Sequence, residues 1–169
     1  MIATFARRTR FILLWTAIAG AIAAVAWFIE QRGEAISGHA RVVDGDSLVI
    51  ARTDIRLYGI DAVELYQSCD RGGQPWACGR EAGQALRRMV AGREVACRAR
   101  DRDRYNRVVA VCHAGGVDLA AAMIKGGFAV SYGAYQADER EARDARRGIW
   151  SSKFDPPGVW RARNPRRER

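Results

Sequence analysis

The sequence predicts an α+β domain, a small closed barrel of about five strands that carries about three helices. Short apolar or alternating runs recur through the middle of the chain, as strands require. Other segments repeat their apolar residues with helical spacing, and glycine or proline separates the segments. With 169 residues, of which 49% are hydrophobic, the chain is long enough for one domain with a buried core.

The first half of the domain is predicted to contain three strands. They lie at 40–43, 47–50 and 55–60, where apolar residues alternate or run together. Asp44-Gly45-Asp46 has the composition of a turn between the first two strands. Residues 72–75 contain two glycines and a proline, so we expect them to interrupt regular structure.

The second half is predicted to combine a hairpin with helices. In order, the predicted elements are a helix at 80–90, strands at 94–99 and 107–112, a helix at 117–125, an extended piece at 128–132 and a helix at 136–147. A five-stranded OB barrel is one architecture that accommodates this order, and such barrels often bind nucleic acid. The tail at 152–169 is basic and rich in proline and arginine, so we expect it to be mostly irregular.

The N-terminal region indicates export. Residues 11–29 form an uncharged apolar run long enough to cross a bilayer as one hydrophobic helix, and the basic residues of 1–10 favour a cytoplasmic N-terminus. An uncleaved signal anchor is favoured over a cleaved signal peptide, whose apolar region is usually shorter. Residues 30–37 would then be a linker. The domain would face the periplasm from a bacterial inner membrane, or be secreted if the segment is cleaved.

The four cysteines form an even set in a chain with export signals, which predicts two disulfides. Three pairings are open from the sequence. We favour Cys69–Cys78, which closes a short polar loop, and Cys97–Cys112, which joins two neighbouring strands. A zinc site is the alternative, but the chain has no Cys-x-x-Cys pair and its two histidines are far apart in sequence.

Three short motifs combine carboxylates with arginines: Asp44-Gly45-Asp46-Ser47, the segment 56–64, and Asp103-Arg104-Tyr105-Asn106-Arg107. Carboxylates are hard ligands for a divalent cation, and one can act as a base. Arginines bind phosphate through two nitrogens and keep their charge. Together the motifs predict a phosphodiesterase site. The net charge of +9 agrees with a polyanionic partner, although charge alone fits simple solubility equally well.

With Gly148-Ile149-Trp150-Ser151, these motifs resemble the staphylococcal nuclease (thermonuclease) family over residues 38–151. The resemblance implies an OB-fold barrel with three helices that binds one calcium ion and cleaves DNA and RNA. It also implies these roles: metal binding by Asp46, Asp61 and the carbonyl of Ala62, catalysis by Arg56, Glu64 and Arg107, and substrate contacts by Arg104, Tyr105, Tyr132 and Tyr135.

The chain departs from the family pattern at several positions near these residues. Ala62 and Val63 replace a threonine and a proline, and Asn106 replaces a glycine. Because asparagine tolerates positive φ better than other non-glycine residues, we expect Asn106 to take that conformation. The cysteine-containing loop at 69–78 is an addition that would reshape the substrate cleft.

Three functions from different classes compete. The first is a calcium-dependent nuclease of low sequence specificity, tethered to the membrane through 11–29 or secreted, and monomeric without a protein partner. The second is a catalytically weak or inactive nucleic-acid-binding module of the cell envelope. The third is an envelope protein whose barrel contacts a protein or a lipid headgroup. The complete set of acidic and basic residues favours the nuclease.

Overall fold

The computed structural model describes residues 15, 16, 18, 20–22 and 34–165. The chain divides into two compact units, residues 1–34 and 35–169. The predicted basic region at 1–10 and most of the predicted membrane segment at 11–29 lie outside the described residues and stay predictions. Within the described part of the chain, no helix is both long enough and apolar enough to cross a membrane.

The unit that starts at residue 35 is α+β, as predicted. Its strands are β1 (Ala35–His39), β2 (Arg41–Val42), β3 (Ser47–Ile50), β4 (Thr53–Leu57), β5 (Ile60–Ala62), β6 (Cys69–Arg71), β7 (Gln74–Trp76), β8 (Glu94–Arg102), β9 (Val108–Ala114), β10 (Val117–Asp118) and β11 (Ala129–Ser131). Its helices are α1 (Cys78–Val90), α2 (Leu119–Lys125), α3 (Gln136–Asp144) and α4 (Pro157–Arg163), with a 3-10 turn at Gly148–Ser151.

The main sheet has seven strands and is curled into a half-barrel, which is consistent with an OB-like fold. Its order is β1-β8-β9-β4-β3-β2, and β10 adds to β9. Only β4 and β9 run parallel among these pairs. Two small sheets pair β5 with β11 and β6 with β7. The predicted count of about five strands was therefore too low for the sheets that the structure describes.

The alternation along β4 separates the core from the candidate site. Ile55 and Leu57 are fully buried in the hydrophobic core. Arg56 lies between them in the strand. Because successive residues of a strand point to opposite faces, its side chain extends from the face opposite the core. Burial of the strand on one side thus fixes the direction of a charged residue on the other.

Three local predictions were wrong. β1 begins at Ala35, inside the predicted linker, because residues 35–39 pair with β8. Gly72 and Gly73 do not break regular structure: both have positive φ, and they form the two-residue turn of the β6–β7 hairpin. Within the described residues 152–165 the tail is irregular only in part, since Pro157 starts the helix α4 at a position that proline favours.

Two other local predictions are confirmed. The disulfides are Cys69–Cys78 and Cys97–Cys112, and the second pair stands directly opposite across β8 and β9. Asn106 has a φ of 62°, the left-handed conformation expected where the family pattern has glycine.

Candidate active site

The pairing of β3, β4 and β9 brings the three charged motifs together. Ser47 at the start of β3 stands opposite Arg56 on β4. Val108 at the start of β9 pairs with Ile55, and Arg107, one residue earlier, reaches Ser47, with its Nη1 donating to the hydroxyl at 3.3 Å. Segments that are distant in sequence therefore deliver both arginines to one place.

Arg56 joins the two predicted metal carboxylates. Its Nη2 donates to Asp61 Oδ1 at 2.6 Å and lies 3.1 Å from Asp46 Oδ2. Asp46 also accepts hydrogen bonds from the Ser47 hydroxyl at 2.8 Å and from the backbone N–H of Ala62 at 3.1 Å. Both aspartates are buried, with exposed fractions of 5% and 7%. The two carboxylates thus lie side by side against a single guanidinium.

Burial sets the ionisation of this group. Loss of solvation raises the pKa of Asp46 to about 6, against the opposing attraction of Arg56. Burial also disfavours the charge of Arg56, but attraction by Asp46 and Asp61 outweighs it and raises the pKa of the guanidinium. Arg56 therefore remains charged beside both buried carboxylates.

The donor set fits a hard cation that keeps few protein ligands. Asp46 and Asp61 offer neighbouring carboxylate oxygens, and Ala62 follows directly in the chain. Calcium binds about six to eight oxygens, so water and substrate oxygens would complete the shell. Across residues 34–165 and the few described before them, no cluster of three or more histidine, cysteine or acidic side chains is arranged to hold a metal.

Arg107 is held by Asp103 in the same turn. Arg107 Nε and Nη2 each lie 2.7 Å from Asp103 Oδ2, while Asp103 Oδ1 accepts the backbone N–H groups of Tyr105 and Arg107. Burial raises the pKa of Asp103, but these hydrogen bonds outweigh it and the net shift is downward. Arg107 Nη1 also donates to the Ser47 hydroxyl at 3.3 Å. Ser47 thereby links Arg107 to Asp46.

Glu64 is positioned by Gln67, which lies just before the cysteine-containing loop at 69–78. Its backbone N–H donates to Gln67 Oε1 at 3.1 Å, and the N–H of Gln67 donates to the Glu64 carbonyl at 2.7 Å. A Cβ on Gly79, at the start of α1, would collide with that carbonyl, so the helix approaches as closely as glycine allows. Val63 is fully buried and anchors the segment by packing, where the family pattern has proline.

Sequence reasoning missed Arg161. Its Nη1 and Nη2 lie 3.0 and 2.9 Å from the two oxygens of Asp61, and Nη1 is also 2.8 Å from Glu64 Oε1. These hydrogen bonds, led by the one to Asp61, raise the pKa of Arg161 above the ordinary arginine value. The paired prolines before it could have predicted a helix start. No local signal shows that the helix reaches a residue 100 positions earlier.

The predicted substrate residues fall into two groups. Tyr105 and Tyr132 are 67% and 76% exposed, and the guanidinium carbon of Arg104 lies 4.9 Å from the Tyr105 ring centre. Tyr135 is different, because its hydroxyl donates to Asp118 Oδ2 at 2.9 Å and the ring packs against the core. Burial and this hydrogen bond raise its pKa. We therefore assign Tyr135 a packing role.

Comparisons with known proteins show the family of this chain. The family model described as staphylococcal nuclease homologue matches residues 54–152. The succinoglycan biosynthesis protein ExoI of Rhizobium meliloti (strain 1021) is 35% identical over 144 residues, which cover 79% of this chain and 75% of that protein. An uncharacterized endonuclease of Escherichia coli is 33% identical over 135 residues, or 73% of this chain and 82% of its own length.

A longer relative matches the same region. The probable staphylococcal-like nuclease CAN1 of Oryza sativa subsp. japonica is 33% identical over 140 residues. The match covers 78% of this chain but only 40% of the rice protein. From the match of the family model and these relatives, the chain belongs to the staphylococcal nuclease homologue family.

Proposed function

We propose that this protein is a calcium-dependent nuclease that hydrolyses phosphodiester bonds of DNA or RNA with little sequence specificity. The observation that carries the proposal is one connected network. It links Arg107 through Ser47 to Asp46, and Asp46 through Arg56 to Asp61. Two arginines that could bind phosphate and two carboxylates that could bind a hard cation thus belong to one network, as phosphodiester hydrolysis requires.

The arginines supply the charge stabilisation. Arg56 and Arg107 would bind the non-bridging oxygens of the scissile phosphate and stabilise the charge that builds as phosphorus becomes five-coordinate. Each such donor is worth about 3–4 kcal/mol of transition-state stabilisation. Asp103 holds the guanidinium of Arg107 in place. Part of the entropy cost of ordering that side chain is therefore incurred on folding, before substrate binds. Bound calcium would add Lewis-acid polarisation of the phosphate.

Glu64 is the proposed base. A water oxygen forms the new bond to phosphorus, and the water proton passes to the Glu64 carboxylate. The ester P–O bond breaks with its electron pair on the leaving oxygen, which takes a proton from solvent. The side chain is exposed enough to meet solvent, while its backbone is fixed by Gln67. This combination suits a group that must reach a water molecule and still hold its position.

Low sequence specificity follows from the proposed contacts. Tyr105 and Tyr132 present exposed rings, and every base has a π-face on which such a ring can stack. Arg104, beside Tyr105, adds a charge for backbone phosphate. These interactions favour single-stranded nucleic acid without selecting a sequence.

We place the activity outside the cytoplasm. Two disulfides support this proposal, because they persist in oxidising compartments. The apolar run at 11–29, with arginines before it, supports a membrane tether or an export signal. Fractionation of cells that make the tagged chain, with protease added from outside, tests the location.

The first experiment is digestion of heat-denatured DNA and of RNA by the purified full-length chain, with calcium and then with excess chelator. Glu64→Gln serves as the matched variant. Cleavage in calcium that stops on chelation and is lost in the variant supports the proposal. Salt-dependent binding without cleavage would favour the nucleic-acid-binding module. Binding to anionic vesicles without binding to nucleic acid would favour the headgroup-binding envelope protein.

A further inference from the structure

The chain segment that carries Arg161 is docked on the loop that positions Glu64. We name residues 153–163 the C-terminal strap. Its first residue, Lys153, exchanges two backbone hydrogen bonds with Asp70, at 2.8 and 2.7 Å. The buried Gln67, which holds the Glu64 backbone, also donates from Nε2 to the carbonyl of Asp155 at 2.7 Å. The short segment from Gln67 to Asp70 therefore contacts both the backbone of Glu64 and the strap.

The far end of the strap covers the acidic groups of the site. Arg161 binds Asp61 through both guanidinium nitrogens and Glu64 through one of them. Asp61 thus has both carboxylate oxygens engaged by the same side chain. A cation that binds Asp61 needs at least one of those oxygens, so Arg161 and the cation compete for the same atoms.

The charges lead to the same conclusion. Asp46, Asp61 and Glu64 carry three negative charges when ionised, and Arg56 supplies one positive charge beside them. Arg161 is a second positive charge at the position where the cation would bind, so the two positive groups would repel each other there. Arg161 and the cation are therefore alternatives.

We propose that the C-terminal strap is an autoinhibitory element, in which Arg161 occupies the cation position and must leave Asp61 and Glu64 before the cation binds. This inference rests on the cation site of the proposed function. The structure favours release at the Arg161 end. The Arg161 side chain is 44% exposed, against 21% for Arg56, and it extends from a helix of two turns.

The strap also has contacts that would remain when Arg161 is released from Asp61 and Glu64. The backbone bridge at Lys153 and the hydrogen bond to Asp155 lie at the N-terminal end of the strap and involve no residue of the cation site. Arg161 can leave while this end of the strap stays bound, so the motion is local. Released Arg161 remains charged beside the cleft, where substrate phosphates would compete with the carboxylates for it.

The test is calcium titration by calorimetry of full-length wild type, Arg161→Ala and Arg161→Lys. Arg140→Ala, which removes one charge from an exposed position on α3, is the control. We expect Arg161→Ala to bind calcium about five- to tenfold more tightly, because a two-point arginine–carboxylate pair no longer competes. Arg161→Lys should fall between, and Arg140→Ala should match wild type. In wild type, calcium should speed amide exchange in residues 157–163.

Other outcomes separate the two proposals. Calcium binding by Arg161→Ala that is equal to or weaker than that of wild type would overturn the autoinhibitory role of the strap and leave the proposed calcium site standing. No calcium binding by any variant would overturn both. If Arg161→Ala keeps the wild-type calcium affinity but loses cleavage at saturating calcium, Arg161 is a substrate-binding residue and the autoinhibitory role is wrong.

Discussion

The candidate site is built from two regions of different construction. The sheet half comprises Asp46, Arg56 and Arg107, whose backbones belong to or adjoin paired strands of the main sheet. The appended half comprises the cysteine-containing loop and the C-terminal strap, which place Glu64 and Arg161 through contacts outside that sheet. A ladder of strand hydrogen bonds gives a rigid frame, whereas a few loop contacts can be exchanged. The proposed roles divide accordingly: phosphate binding falls on the rigid region, and the proposed base and the proposed autoinhibitory contact fall on the adjustable one.

The largest expected effect is in the appended half, at Glu64. Glu64→Gln keeps the size of the side chain but cannot accept the proton, so kcat should fall by at least about 100-fold. Steady-state cleavage of denatured DNA measures it. The control is Glu141→Gln on the exposed face of α3, which should cleave at the wild-type rate. A Glu64→Gln protein as fast as wild type would remove Glu64 from the mechanism.

The next largest effect is in the sheet half, at Arg107. Arg107→Ala removes one preorganised donor, and kcat should fall by about 100-fold or more. Arg107→Lys should recover little of the rate, because an ammonium cannot reproduce the planar fork that Asp103 and Ser47 hold. Arg104→Ala, which removes a neighbouring exposed arginine, should mainly raise KM. Full activity in Arg107→Lys would show that charge alone suffices there.

Sequence was a good guide to the sheet half because the signals there are local. Strand periodicity placed β3 at residues 47–50, and a charged motif marked each strand end that contributes to the site. The left-handed Asn106 followed from the glycine that the family pattern has there and from the conformational preference of asparagine. The cross-strand disulfide followed from a hairpin predicted between two strands that are close in sequence. These predictions needed a short stretch of chain or a family motif, and no contact between distant segments.

The appended half could not be predicted in the same way. Arg161 is one of many arginines in a basic tail, and its partner Asp61 is 100 positions away. Gln67 looks ordinary in sequence, yet it is buried and bridges Glu64 to Asp155. These contacts depend on where the strap crosses the loop, which is set by the folded shape rather than by local propensity. Side-chain contacts between residues that are distant in sequence therefore could not be predicted from the sequence.

The two disulfides allow the halves to be perturbed separately. Replacing either pair by alanine should lower the free energy of unfolding by about 2–3 kcal/mol, with the larger loss for Cys97–Cys112 because it closes the longer loop. Only the Cys69–Cys78 replacement should also reduce kcat, by about tenfold, because the loop that holds Glu64 loosens. Urea denaturation and cleavage rates measure the two effects. Equal kcat values for the two variants would contradict the division into halves.

The smallest expected effect distinguishes the two tyrosines near the cleft. Tyr132→Ala removes an exposed ring that we propose stacks on bases, so KM for single-stranded DNA should rise about fivefold with little change in stability. Tyr135→Phe removes a hydrogen bond to Asp118, the residue that caps α2, and should cost about 1 kcal/mol of stability with KM unchanged. Thermal unfolding and KM, measured on both variants, give opposite patterns. If Tyr135→Phe instead raises KM while stability holds, its hydroxyl acts on the substrate and the packing assignment fails.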